Sequence, residues 1–251
     1  MHLPHGKKIY FASDFHLGVP THAKSLVRER EIIRWLDSIK SDAAELFLVG
    51  DLFDYWFEYK TVVPKGYVRF LGKIAEFIDA GIPVHVFTGN HDMWMFDYLK
   101  TEIGVELYRN SIVRTWNGKK IMIGHGDGLG PGDHGYKFIK KIFTNRFFQW
   151  CFARLHPNLG ISLMRYFSRR SRASSGKSDE IYLGDDKEFL VQYCKDTLKA
   201  EHFDHFVFGH RHLPLEIMIS ELSKYTNLGE WLNYKTYAVF DGEILELKTF
   251  S

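Results

Sequence analysis

"ELFLVGDLFDYWFEY", residues 45 to 59, runs from an apolar stretch through a glycine into two carboxylates three positions apart, Asp51 and Asp54, and then into aromatics. The apolar run reads as a buried strand ending at Gly50. Two acidic side chains aimed at one small volume repel each other unless a cation lies beside them. The same design recurs along the chain. "KIYFAS" leads to Asp14 and His16, "VHVFTG" to Asn90, His91 and Asp92, "KIMIGH" to His125 and Asp127, and "HFVFGH" to His210 and His212.

Between these short runs lie longer stretches with helical spacing, at 25–40, 67–81 (with Gly81 as a C-cap) and 186–201. Alternating strand and helix predicts an α/β sheet. "KTYAVFDGEILELKTF" (235–250) instead reads as a hairpin turning at Asp241-Gly242, which makes the sheet mixed. Carboxyl ends of neighbouring strands in an open α/β sheet converge on one crevice, so the five segments are expected to share one site. Carboxylates, imidazoles and an Asn amide oxygen form a mixed oxygen and nitrogen donor set. Such a set suits Mn²⁺, Fe or Zn²⁺ and is too rich in nitrogen for a pure Ca²⁺ or Mg²⁺ site.

Composition sets the boundaries of this reading. At 251 residues with 45% hydrophobic side chains, the chain is long enough for one large domain, 1–251. "MHLPHGKKIYFAS" lacks the apolar segment of a signal peptide, and no stretch approaches the roughly 18 apolar residues of a spanning helix, so a cytoplasmic, soluble or peripheral protein is expected. Cys151 and Cys194 have no partner spacing, which argues against a disulfide framework or a cysteine zinc site. An isolated histidine is ordinarily a hydrogen-bonded core or surface residue. That reading fits His2, His5, His22, His85, His156, His202 and His205, none of which stands at a strand end beside glycine.

Taken in order, the DxH, GDxxD, GNHD, GHG and GHxH blocks over residues 9–212 resemble the signature of the calcineurin-like metallophosphoesterase family. The resemblance implies an α/β sandwich of mixed sheets flanked by helices. It implies Asp14, His16, Asp51 and His212 on one divalent ion and Asp51, Asn90, His125 and His210 on a second, with Asp51 shared. The ions are expected to be Mn²⁺, with Fe or Zn²⁺ as alternatives. His91, next to Asn90, is expected to face the substrate oxygens, and Asp54 to orient it. Asp92 and Asp127 are read as supporting groups or helix caps.

"GDLFDYW", "HGDGLGPGD" and "NLGEWLNYKTYAVFDG" further resemble the UDP-2,3-diacylglucosamine pyrophosphohydrolase branch. That resemblance implies cleavage of a lipid-linked nucleotide to UMP and 2,3-diacylglucosamine 1-phosphate, with Asn90, Asp133 and Lys177 on the substrate. Two residues depart from the branch. His91 stands where its best-known members carry arginine, and Arg211 stands where threonine is usual, offering a substitute positive charge. Another nucleotide or phosphodiester hydrolase, or an inactive scaffold, are the alternatives; complete ligand motifs argue against the scaffold.

The net charge of +2 hides a polarised chain. His134 to Ser178 holds ten Lys or Arg and no acid, leaving 23 basic against 31 acidic residues elsewhere. In this segment Ile139, Ile142, Phe143, Phe147 and Trp150 recur at helical spacing, and Pro157 is expected to separate two helices. The reading is a basic helical lid, 134–178, whose Phe143, Phe147 and Trp150 meet acyl chains and an anionic membrane surface on the cytoplasmic side. Packing of the stripe on the main domain is the plainer alternative. No recognised nucleic-acid module is present, so no nucleic-acid partner is expected.

Overall fold

The computed structural model describes residues 1–132, 134–175, 181–182 and 184–251. In chain order its elements are β1 (Lys8–Ala12), α1 (His22–Ile39), β2 (Ala43–Val49), α2 (Val68–Asp79), β3 (Val84–Phe87), a π-helical turn (Leu99–Ile103), β4 (Glu106–Tyr108), β5 (Ile112–Trp116) and β6 (Lys119–Gly124). They continue with α3 (His134–Thr144), α4 (Arg146–Phe152), α5 (Pro157–Ser175), α6 (Phe189–Leu198), β7 (His205–Phe208), β8 (Pro214–Ser220), β9 (Ser223–Leu228), β10 (Thr236–Phe240) and β11 (Leu245–Thr249).

Period-two alternation sets the layers. Ile9 and Phe11 of β1, with Phe47 and Val49 of β2, bury themselves against Ile121, Ile123 and Val207 of β6 and β7. The residues between them, Tyr10, Ala12, Leu46 and Leu48, pack the other way, onto Ile32, Trp35 and Leu36 of α1 and Phe70, Ile74 and Phe77 of α2. On the far side Met122, Phe206 and Phe208 meet Leu190, Val191 and Cys194 of α6. Each fully buried side chain of this kind contributes roughly 1.5–3 kcal/mol, so each layer specifies the next.

The result is a mixed α/β sandwich with helices on its flanks. One sheet has the order β11-β10-β1-β2-β3-β4 and the other β5-β6-β7-β9-β8. β1, β2, β3 and β4 run parallel, as do β6, β7 and β9, while β10, β11, β5 and β8 pair antiparallel. The expected C-terminal hairpin is β10–β11, with Phe240 opposite Leu245.

Two expectations are corrected. The five motif-bearing strands do not share one sheet: β1, β2 and β3 belong to the first, β6 and β7 to the second. A strand buried between helices and a strand buried between a helix and another sheet carry the same apolar run, so the division is invisible in the pattern. The basic segment forms three helices, because Asn145 ends α3 and caps α4 by accepting the Phe147 N–H at 2.9 Å.

These three helices rest on the aromatic loop that follows Asp54. Tyr55, Phe57, Met93 and Trp94 form a buried cluster against which Phe143, Phe152, Ile161 and Met164 pack. Trp94 Nε1 donates to the Phe143 carbonyl at 2.7 Å. The continuous stripe expected over 139–150 is therefore divided: Phe143 turns inward, 5.2 Å from the Trp94 ring, while Ile139, Phe147 and Trp150 stay exposed.

Candidate metal centre

Glycines allow the strand-end loops to converge. Gly50 has φ +85°, and a Cβ there would lie 2.5 Å from His125 Nδ1. At Gly89 a Cβ would strike the Asp51 carboxylate. Where glycine is absent the backbone is strained instead. Among the described residues eight non-glycine positions have positive φ, and five of them are Asp14, His16, Asp51, His210 and His212. Strain gathered on five polar side chains that face one volume points to function at that volume.

Buried partners hold the loops in this state. Arg28 of α1 donates from Nε to the Phe15 carbonyl at 2.8 Å, and from Nη2 to the carbonyls of His16 and Val19 at 2.5 and 2.6 Å. The His16 N–H reaches the Asp51 carbonyl at 2.9 Å, tying the first loop to the second. Asp92 accepts the N–H groups of Gly89 at 2.8 Å, Leu52 at 2.7 Å and Phe53 at 3.3 Å, which gives it the supporting role expected of it. Burial, followed by repulsion from Asp51, pushes its carboxyl up to about 7.

Two donor groups sharing one carboxylate result. Asp14, His16, Asp51 and His212 bring ligand atoms within 4.8 Å of one another, and so do Asp51, His125 and His210. Asp51 Oδ2 stands 3.9 Å from His16 Nε2 and 3.5 Å from His125 Nε2, one ring from each group. Asn90 Oδ1 joins the second group, 3.2 Å from His125 Nε2 and 2.8 Å from His210 Nδ1. The Nε2 atoms of His16 and His212 approach to 3.0 Å.

The donor chemistry fits divalent cations. His125 Nδ1 contacts the Val49 carbonyl at 2.8 Å, an acceptor that places the proton on Nδ1 and leaves Nε2 a lone pair toward Asp51. Burial would raise Asp14, yet contacts with His16 and His212 hold its carboxyl well below the usual range. Burial drives His16 down to about 4, only partly offset by Asp14. Ionised carboxylates and neutral imidazoles are the forms that bind metal. Burial would lower His125, but Asp51, together with Asp14 and Asp127, drives it up to about 10, and a cation on Asp51 would oppose that rise.

A third group, His16, Asp54 and His91, adjoins the first. The His91 and His16 rings lie 4.9 Å apart, edge to face. His91 Nδ1 is 3.7 Å from Asp54 Oδ1 and 3.2 Å from the Asp54 carbonyl, so the expected pairing runs through backbone more closely than through carboxylate. Ser168 of α5 stands at the same point, its Oγ 2.9 Å from Asp54 Oδ1.

The remaining site expectations divide. Arg211 is corrected: its guanidinium is buried and forks onto Glu188, at 2.9 Å from Nε and 3.0 Å from Nη2, so its charge is neutralised within the fold. Asp127 accepts from Tyr136 and from Lys140, each at 2.5 Å, fastening α3 to the loop after β6. Asp133 and Lys177 lie outside the described residues. The sequence reading missed Arg28, Ser168, Arg165 and Arg169. Arg28 was signalled by a charge on the apolar face of α1, in line with Ile32 and Trp35. Arg165 and Arg169 line a cavity of about 160 Å³ together with Asp54, Tyr55 and Tyr67.

Comparison with known proteins accords with this geometry. The family model for calcineurin-like phosphoesterases matches residues 7–214. A protein of Porphyromonas gingivalis named UDP-2,3-diacylglucosamine hydrolase is 36% identical over 254 residues, covering 96% of this chain and 97% of its own. One of the same name from Yersinia pseudotuberculosis is 27% identical, covering 96% of this chain and 98% of its own. A metal-dependent hydrolase by its fold and donor set, the chain belongs to the calcineurin-like phosphoesterase family.

Proposed function

We propose that this chain hydrolyses the pyrophosphate of UDP-2,3-diacylglucosamine to UMP and 2,3-diacylglucosamine 1-phosphate, using two Mn²⁺ ions. The observation that carries the reading is the contact of a basic, aromatic helical segment with the loops of the two-group donor site, through Ser168 on Asp54 and Lys140 on Asp127. Relatives named for that substrate align along nearly their whole length, so the match includes this segment.

Asp14, His16, Asp51 and His212 hold one ion, and Asp51, Asn90, His125 and His210 the other. Ions so placed supply positive charge that polarises phosphoryl oxygens and acidifies water. Asn90, at the mouth of the site, helps place the pyrophosphate. His91, fixed through Nδ1, presents its ring beside His16 to the phosphoryl or leaving-group oxygen, a role worth roughly 10²–10⁴ in rate. Asp54 orients it. Hydrolysis forms one bond from water oxygen to phosphorus and breaks the bond to the departing phosphate, which leaves with its electron pair and takes up a proton.

Residues 134–178 act as the lid. Phe147 and Trp150 are 63% and 55% exposed, and Phe138, Phe148, Leu159, Tyr166 and Phe167 share their exposure amid basic side chains. Such a surface suits the interface of an anionic membrane and supports the reading of a protein that works at the cytoplasmic face of the inner membrane. Phe143 supports this surface from beneath through Trp94. Asp133 and Lys177 are assigned to the substrate's sugar and phosphate. Among the described residues no helix is long and apolar enough to cross a membrane.

The test is turnover of UDP-2,3-diacylglucosamine by the Mn²⁺-loaded protein, beside a simple aryl phosphodiester, as the acyl chains are shortened. Each buried methylene is worth about 0.8 kcal/mol, so kcat/KM should fall steeply with chain length. Efficient turnover of a water-soluble nucleotide with no response to chain length or vesicles would leave only a general phosphodiester hydrolase.

A further inference from the structure

On α5 the sequence "GISLMRYFSRR" (160–170) turns one face inward, at Gly160, Ile161, Met164 and Ser168, the spacing of a single helical face. Ile161 and Met164 pack on the aromatic cluster. A Cβ at Gly160 would lie 3.1 Å from the Phe152 ring, so the helix is closely applied. Ser168 is 8% exposed although Phe167, Arg169 and Arg170 around it face solvent. A hydroxyl turned inward costs free energy unless it is bonded. This one is bonded twice, to Asp54 Oδ1 at 2.9 Å and to His91 Nδ1 at 3.2 Å.

The partners assign the protons. His91 Nδ1 faces the Asp54 carbonyl, which can only accept, so Nδ1 carries the hydrogen. Ser168 Oγ then accepts from Nδ1 and donates its own hydrogen to the Asp54 carboxylate. The carboxylate itself is 3.7 Å from the ring, beyond hydrogen-bond reach. The serine hydroxyl is the link between them.

We propose that Ser168 is a positioning residue that connects the Asp54 carboxylate to His91, so that the pair is complete only while α5 is seated on the aromatic cluster. The proposal rests on the role given above to His91. The lid thereby contributes a working part of the site as well as a cover, and seating of α5 governs turnover.

The test uses the full Mn²⁺-loaded chain and bis-p-nitrophenyl phosphate, with kcat, KM and metal content measured for Ser168→Ala, Ser168→Thr, His91→Ala and the Ser168→Ala/His91→Ala double variant. Ser168→Ala should lower kcat roughly 5–10-fold, the loss of one such hydrogen bond, with KM and metal content within about twofold. Threonine should recover most of it. In the His91→Ala background the same serine change should alter kcat by less than about twofold, because its effect passes through the imidazole. The double variant decides even where threonine's methyl is not accommodated. An equal loss in both backgrounds, or no loss from Ser168→Ala while His91→Ala is impaired, overturns the proposal alone. Wild-type kcat in His91→Ala overturns the role of His91 and the proposal with it.

Discussion

Arg28 offers the sharpest test of how the fold presents the metal donors. Its guanidinium donates to three carbonyls within five residues of chain, those of Phe15, His16 and Val19, and so clamps the loop on which Asp14 and His16 hold left-handed backbone. Arg28→Met keeps the length of the side chain and removes every donor. Three buried acceptors then lose a charged partner, at about 1–3 kcal/mol for each group left unsatisfied. Water entering the space recovers part of this, which sets the net cost at about 3–5 kcal/mol. In a domain of this size that lowers Tm by roughly 6–20 °C. Losing the support behind a ligand should also weaken Mn²⁺ binding by about 10–100-fold. Thermal unfolding with and without chelator, together with Mn²⁺ titration, measures both. A variant within about 1 kcal/mol of wild type, binding Mn²⁺ as tightly, would refute the clamp.

Three further outcomes follow from the same geometry. Asp51→Ala should abolish turnover and lower metal content while circular dichroism stays native; near-native turnover after controlled Mn²⁺ loading would remove Asp51 from its shared position. Changing Phe147 and Trp150 to serine should weaken binding to anionic vesicles and flatten the acyl-chain dependence, yet leave aryl phosphodiester hydrolysis within about twofold, and an unchanged chain-length profile would count against the lid surface. His205 of β7 is lowered to about 4 by burial and then by Lys224, against about 6.5 in an unfolded chain. The unfolded state takes up this proton first, so the contribution is fully present above pH 6.5 and is lost as pH falls toward 4. After discounting for partial exposure it amounts to about 2 kcal/mol; His205→Phe should flatten the urea midpoint over that window, and parallel curves for the two proteins would exclude it.

How far the sequence carries can be judged element by element. β1, β2, β3, β6 and β7 were legible because each is a short apolar run ending at glycine or a small polar residue, and α1, α2 and α6 because their apolar residues recur at helical spacing. β9 was not legible. Its "SKYTNL" buries Ser223 and Asn227, polar residues that enter the core because partners await them: Ser223 Oγ donates to the Phe203 carbonyl and Asn227 Nδ2 to the Gly209 carbonyl, each at 2.6 Å. β8 presents alternate residues to solvent at a sheet edge and so lacks a continuous run. The donor residues were readable as a set because they follow strand ends. Ser168 was not, since a serine in a basic tract acquires meaning only when a distant chain segment closes around it, and the signal at Arg28, a charge on the apolar face of α1, does not say which carbonyls it holds. Arg211 shows the converse: a charge beside two donor histidines looked available, but Glu188 had already claimed it.

The donors are divided between the two sheets. Asp14, His16, Asp51 and Asn90 follow strands of the first, and His125, His210 and His212 follow strands of the second. An ion held among them is a cross-tie between two halves that otherwise meet at that edge through side-chain packing and a few hydrogen bonds, such as those of His125 Nδ1 to the Val49 carbonyl and of the His210 N–H to Asp14. Ligation and cohesion then become one equilibrium: at a free ion concentration one hundred times Kd, a single site adds about 2.7 kcal/mol against separation of the halves. Chelation should accordingly loosen amide protection at the ends of β2 and β6 together, and the enzyme's lifetime should follow metal supply as closely as its rate does.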